Sequence, residues 1–168
     1  MKLASSDGQT FEMRVLGYQF SHKEWSTARA QGRAELRVSA WPGNSNWLMI
    51  AGEVVHPKDS WQFNAPCLLT YEAERLASWI DLMAQGEPHR TSCSFVEPNL
   101  EFRAVDSVQR PVLRVYFRLE ARPEWARRQP RRDGDELWVE FPLEELDLRS
   151  IARQWREELR PYPQRAPW

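Results

Sequence analysis

Cysteine is scarce in this chain. Two occur in 168 residues, Cys67 and Cys93. They form no CxxC pair, and a structural zinc site needs four clustered ligands, so reduced, buried thiols are the expectation. Glycine is sparse too, at seven residues. None builds a phosphate-cradling loop, and no G-x-S-x-G elbow surrounds Ser60 or Ser94. No apolar run approaches the roughly 20 residues of a membrane-spanning helix. The opening MKLASSDGQT lacks the apolar region of a signal peptide, and a cytoplasmic location is expected. Neither charge dominates: 23 basic residues stand against 24 acidic ones. No global field therefore draws the chain to nucleic acid or to a membrane, and neither is an expected partner. The histidines His22, His56 and His89 each stand beside turn residues, at ligand spacing from no other His or Cys. No metal or cofactor is expected from that distribution.

Large rings, by contrast, are abundant. Nine tryptophans in a chain of this length imply a ring-rich core, or a surface that keeps some rings for a partner. The length suits one domain spanning 1–168, with a core over about 10–160 and tails at 1–9 and 163–168.

Period-two patterning dominates the first part. In TFEMRVLGYQF, Phe11, Met13 and Val15 face one way and Glu12, Arg14 and Leu16 the other, as in a half-buried strand. AELRVSAW repeats the pattern, and Pro42 to Ser45 form a turn cluster. NWLMIAGEVV is apolar on both faces from Trp47 to Ile50, which suits a central strand covered on both sides. HPKDS reads as a turn and WQFNA as a short strand. The period then changes. Ala73, Leu76, Ala77, Ile80 and Met83 make a helical stripe, with Thr70 as N-cap, Glu72 in the first turn and Gly86 as the stop. Strands return in SCSFVE, NLEFRAV, PVLRVYFRLE and ELWVEF, the last two forming a hairpin with a long tip. The tail LDLRSIARQWREEL is helical, capped by Asp147 and ended by Pro161 and Pro163; it buries Leu148, Ile151, Ala152, Trp155 and Leu159. Strands joined by short polar turns favour antiparallel pairing. The expected fold is α+β: a curved antiparallel sheet, or two packed sheets, with one central and one C-terminal helix.

Few residues invite a chemical role. Glu97 precedes Pro98 and Asn99, a pair that joins two strands as a turn, so Glu97 reads as a hairpin corner able to accept backbone amides. RRQPRR, residues 127–132, is the strongest charge cluster and reads as a solvated loop tip. It could also touch phosphate or an acidic protein surface. Trp79 and Trp155 fall on the predicted helices and belong to the core or its edge. Trp125 and Trp168 lie in polar, irregular context. The candidates for partner contact are Trp125, Arg127, Arg128, Arg131 and Arg132, and no catalytic residue is nominated.

The ordered set GYQF, NWLMIAGEV, PCLLTYEAERLASWI, SFVEPNLEFR and LRSIARQWREELRPYPQR resembles the WapI-type immunity family, over about residues 14–165. SHKEWSTARAQGRAE and the arginine-rich tip depart from it. The resemblance implies a bacterial binding protein without catalysis of its own. Such a protein neutralises the toxin domain of a contact-dependent or polymorphic toxin by stoichiometric binding. Many such toxins are nucleases, so an acidic face mimicking phosphate would be a natural inhibitor, although the near-neutral charge does not advertise one. Two other readings stay open. A carbohydrate- or small-molecule-binding β-module would need a concave face lined by several tryptophans. An enzyme would need Glu72, Glu97 or a histidine to meet a second titratable group in a pocket.

Overall fold

The structure, a computed structural model, describes residues 1–21, 45–86, 91–107, 109–128 and 136–165. The strand expected at AELRVSAW, most of the turn after it, His22, His89, Arg131, Arg132 and Trp168 lie outside these. The first sheet comprises β1 (Lys2–Ala4), β2 (Thr10–Tyr18), β3 (Trp47–His56) and β4 (Asp59–Leu69). α1 (Thr70–Ala84) continues from β4 without a break. The second sheet comprises β5 (Ser92–Ser94), β6 (Leu100–Asp106), β7 (Pro111–Phe117) and β8 (Leu137–Pro142). A 3-10 turn (Leu119–Ala121) and the one-turn helix α2 (Glu124–Arg127) separate β7 from β8. A second 3-10 turn (Leu143–Glu145) leads to α3 (Leu148–Leu159). Both sheets are antiparallel meanders in chain order. The fold is α+β, and of the two sheet arrangements expected, two packed sheets is the one observed.

Alternation explains the packing. Phe11, Met13 and Val15 of β2, Leu48, Ile50 and Val54 of β3, and Phe63 and Ala65 of β4 are buried on one side of the first sheet. Phe102, Leu113, Val115, Phe117, Val139 and Phe141 are their counterparts in the second. Phe117 binds the two layers together, with ring centroids 5.4 Å from Phe11, 5.1 Å from Trp61 and 6.2 Å from Phe63. These edge-on contacts suit the ring quadrupoles, which adds to the value of burying large apolar area. Gly52, opposite Phe63, makes room for this cluster: a Cβ there would stand 2.2 Å from the Phe63 ring. β3 lies between β2 and β4 as expected of a central strand, yet its second face is only half-buried at Trp47, Met49 and Ala51. β4 runs longer than WQFNA suggested. Pro66 is tolerated because β4 is an edge strand and needs no ladder N–H there.

The helices follow the predicted stripes. α1 buries Ala73, Leu76, Ala77, Trp79 and Ile80; α3 buries Ile151, Ala152, Trp155 and Leu159. The Trp155 indole N–H donates to the Ala73 carbonyl at 2.9 Å, joining the two helices, and Arg156 pairs with Asp81. Asp147 caps α3 as expected, accepting the Ser150 N–H at 3.0 Å. Gly86, at φ +74, closes α1 with its N–H on the Met83 carbonyl. Thr70 is not the N-cap. The strand enters the helix directly, which puts Leu69 at the cap position. A leucine side chain has no acceptor, so Glu72 supplies one from inside the helix. Its two oxygens accept the N–H groups of Leu69 at 3.1 Å and Val96 at 2.8 Å.

The predicted N-terminal tail needs correction. Met1 and Leu3 are buried, and Lys2–Ala4 pairs with β2. The pattern KLA is too short to register as alternation. At the other end the Tyr18 hydroxyl donates to the Pro163 carbonyl, and Arg165 donates from its backbone to Asn46 Oδ1 at 2.7 Å. Its guanidinium reaches the Phe20 carbonyl at 2.8 Å. Pro163 and Arg165 are thus held by hydrogen bonds although exposed.

Replacing Glu72 with alanine strands the Leu69 and Val96 amides, and urea unfolding should register a loss of about 2–3 kcal/mol. Glu97→Ala, on the β5–β6 turn, should cost under about 1 kcal/mol in the same assay.

Candidate protein-binding surfaces

Among the described residues, the groups an enzyme would use are dispersed or committed elsewhere. Glu72 is buried and holds two backbone amides, with Arg75 one helical turn away at 3.6 Å. Glu97 stands at the turn joining β5 to β6, but the carboxylate that anchors this turn through Val96 is Glu72. The turn's buried Asn99 donates to Glu120 Oε2 at 2.9 Å, and its carbonyl accepts the Arg118 N–H at 2.8 Å. His56 Nδ1 accepts the Lys58 N–H inside the β3–β4 turn. Cys67 and Cys93 are free and buried. Burial pushes the Cys67 thiol up to about 12, far from the thiolate a nucleophile requires. Among the described residues, no three His, Cys, Asp or Glu side chains group closely enough to hold a metal ion.

A half-open cleft of about 480 Å³ lies between α1 and β5, lined by Arg75, Ser78, Trp79, Leu82 and Ser92–Ser94. It has one tryptophan in its wall. A shallower depression on the outer face of the first sheet, along Glu12, Ala51 and Gln62, has none. Neither gathers the several rings that sugar stacking would use.

The outer face of the second sheet is organised differently. Alternation that sends Leu113, Val115 and Phe117 inward sends Arg114, Tyr116 and Arg118 outward. Strand register then aligns Glu101 with Tyr116 and Trp138 in one cross-strand row, and Arg103 with Arg114 and Glu140 in the next. Tyr116 and Trp138 lie 5.7 Å apart. Arg103 sits over the Tyr116 ring at 4.2 Å and Arg114 over Trp138 at 5.1 Å, within cation–π range. Four charges close a ring: Arg103 to Glu101 at 2.7 Å, Glu101 to Arg118 at 3.0 Å, Arg118 to Glu136 at 3.2 Å, and Glu136 back to Arg103 at 3.5 Å. Arg114 pairs separately with Glu140 at 3.0 Å. Three arginines thus meet three carboxylates, and the face is neutral although densely charged. Trp138 remains 39% exposed.

An arm formed by residues 119–128 leaves the end of β7. The segment leading to the arginine-rich run folds back onto β4, while Arg127 and Arg128, the described part of the run read as a solvated tip, are exposed. Ala121 and Ala126 are buried, and the Trp61 indole N–H donates to the Ala121 carbonyl at 3.0 Å. Trp125 is exposed, its indole N–H held by Asp59, while Arg128 pairs with Glu124. Arg127 is exposed. Leu119, where the arm leaves β7, has φ +48 and is exposed. A non-glycine residue in that region carries about 1–2 kcal/mol of strain. Of the five sequence candidates, then, the structure gathers Trp125, Arg127 and Arg128 on one arm.

A sequence model described as the immunity protein WapI-like family matches residues 2–163. The chain belongs to this family. No curated protein and no solved structure matches it significantly. Membership in the WapI-like family points to an immunity function and a protein partner. Within a WapI-like chain, surfaces that could meet a partner matter more than pockets, and here the sequence missed one. The strand PVLRVYFRLE was visible, but Arg103, Glu101 and Trp138 join its Arg114, Tyr116 and Arg118 only through strand register. No helix among the described residues is long and apolar enough to cross a membrane.

The charge ring makes a pH prediction. Hydrogen bonding from Arg103 holds the Glu101 carboxyl below its ordinary 4.5, against the opposing effect of burial, and Arg118 adds to the lowering. A depressed folded-state pKa adds stability above the unfolded value and loses it as pH falls through the folded one. Glu101→Gln should therefore be less stable than wild type at neutral pH, with the gap closing below about 4.5 as wild-type Glu101 protonates. Urea midpoints measured across that range test it.

Proposed function

We propose that this protein neutralises a cognate bacterial toxin domain by forming a stoichiometric complex with it in the cytoplasm, using the outer face of the second sheet and the arm that leaves β7. The supporting observation is the pre-set constellation of Trp138, Arg103, Arg114 and Arg118, packed over the buried Tyr116 ring, on one sheet face of a WapI-like chain. Trp, Tyr and Arg are the residues that dominate binding energy at protein interfaces. Here their rotamers are restrained by ring stacking and by the ion-pair ring, so little side-chain freedom is left to lose on association. Phosphate mimicry does not fit this face. Glu101, Glu136 and Glu140 all pair with arginines, so their charge is compensated locally. Recognition by shape and directed hydrogen bonds fits better than substitution for a nucleic acid, and the mechanism is occlusion of the toxin.

Co-expression with the toxin domain encoded beside it should rescue growth, and the purified pair should elute as a 1:1 complex. Trp138→Ala should weaken that complex about 30-fold, equivalent to about 2 kcal/mol, while leaving the fold intact by circular dichroism. Failure of rescue together with absence of a complex would reject the proposal.

A further inference from the structure

We infer that β8 takes up an extended segment of the toxin as a fifth strand of the second sheet. The inference rests on the toxin-binding reading and names the mode of contact. In an antiparallel pair, directly opposite residues alternate between exchanging both main-chain hydrogen bonds and exchanging none. The Arg118 N–H donates to the Asn99 carbonyl at 2.8 Å, and these residues stand opposite each other one step beyond the Leu100–Phe117 pair. Arg114 and Tyr116 therefore bond to β6, while Leu113, Val115 and Phe117 bond to β8. Their partners there are Phe141, Val139 and Leu137, in a register without a shift. Trp138 and Glu140 must then aim their N–H and C=O groups out of the sheet. β8 is the last strand of that sheet, and among the described residues no hydrogen bond reaches these four groups.

The other described edges are short or obstructed. β1 and β5 have three residues each. β4 carries Pro66 and has Leu119–Ala121 packed against it. β8 has six residues, no bulge, and a proline only at its last position, Pro142. Its one charge, Glu140, is compensated by Arg114. The devices that keep sheet edges from pairing are thus missing here. Main-chain donors and acceptors at strand spacing are matched by another strand, so the occupant is a protein segment. Edge pairing with a second copy would extend the sheet sideways and leave the two outer faces side by side, out of contact. A six-residue strand pair alone falls short of the roughly 1,000 Å² of a lasting interface. A toxin can add a strand and also cover the outer face, because Trp138 has its exposed ring on that face and its backbone at the edge. Alternation specifies the segment. Its positions beside Leu137, Val139 and Phe141 are apolar and those beside Trp138 and Glu140 polar, with no carboxylate opposite Glu140, where like charges repel.

Hydrogen exchange followed by NMR on the full chain, free and bound to the toxin domain encoded beside it, tests this. The Trp138 and Glu140 amides should exchange readily in the free protein. In the complex they should slow about 100-fold and show contacts to toxin backbone protons. Glu140→Pro removes an outward donor that the free fold leaves unused, whereas Glu140→Gln removes only the charge. The proline variant should bind about tenfold more weakly than the glutamine variant, with both folded by circular dichroism. Equal binding by the two overturns the inference. So does a complex in which both amides exchange as fast as in the free protein, and neutralisation stands in either case. Protection that appears without toxin and grows with protein concentration assigns the edge to a second copy and also overturns it. Should the proline variant not fold, the exchange measurement on the wild type decides. Absence of any wild-type complex removes the toxin-binding reading and the added strand together.

Discussion

Three consecutive residues carry the architecture: Phe117, Arg118 and Leu119. Phe117 points inward and meets rings from β2 and β4, which makes it the chief aromatic link between the sheets. The next residue in an extended strand must point the other way, so Arg118 lies on the outer face and completes the ion-pair ring with Glu101 and Glu136. Leu119 then turns the chain out of the sheet in a conformation that leucine adopts at a cost. A one-residue slip of β7 would push Arg118 among the phenylalanines and Phe117 into water. The register of the second sheet is thus fixed by the core, and the outer constellation inherits its precision from that constraint.

Carboxylates serve this fold mainly as connectors. Glu72 belongs to a helix but holds the backbone of the strand before it and of the turn after β5. Glu158 does the same for α3, accepting the Val15 N–H at 3.1 Å and so tying the last helix to β2. Glu101 holds two arginines across the sheet surface. A hydrogen bond to an ionised group is stronger than a neutral one, so a few such residues can lock elements that share little apolar area.

How much of this was legible depended on whether the deciding signal was local. The helix at Thr70–Ala84 and the one at Leu148–Leu159 declared themselves through apolar stripes, and Asp147 declared its cap. The strands around Val15 and Val115 did so by alternation, and the one around Ile50 by a continuous apolar run. Capping by Glu72 was not legible, because Thr70 satisfies every local rule for an N-cap and only the direct entry of β4 displaces it. β1 escaped because three residues cannot show a period. The outer face escaped for another reason. Trp138, Tyr116 and Glu101 are far apart in sequence, and nothing in any one segment states that register will align them. The arm was half legible: Trp125 and its arginines stood out by composition, while its docking through Ala121 and Ala126 rests on two small residues that carry little hydropathic signal.

The contrast between the rigid sheet and the strained turn bears on how the proposed complex would form without a deep pocket. A flat surface gains affinity only when the freedom lost on association is small, since buried area alone does not set binding strength. Stacked arginines, a closed ring of ion pairs and an indole pinned to Asp59 each remove freedom in advance, and the folding free energy of the sandwich meets that cost. Strain at Leu119 fits the same economy, because a sandwich stapled by Phe117 is stable enough to hold one unfavourable backbone angle. The aromatic core and the outer face are in this sense one device, with the core supplying the stability that holds the surface groups in place.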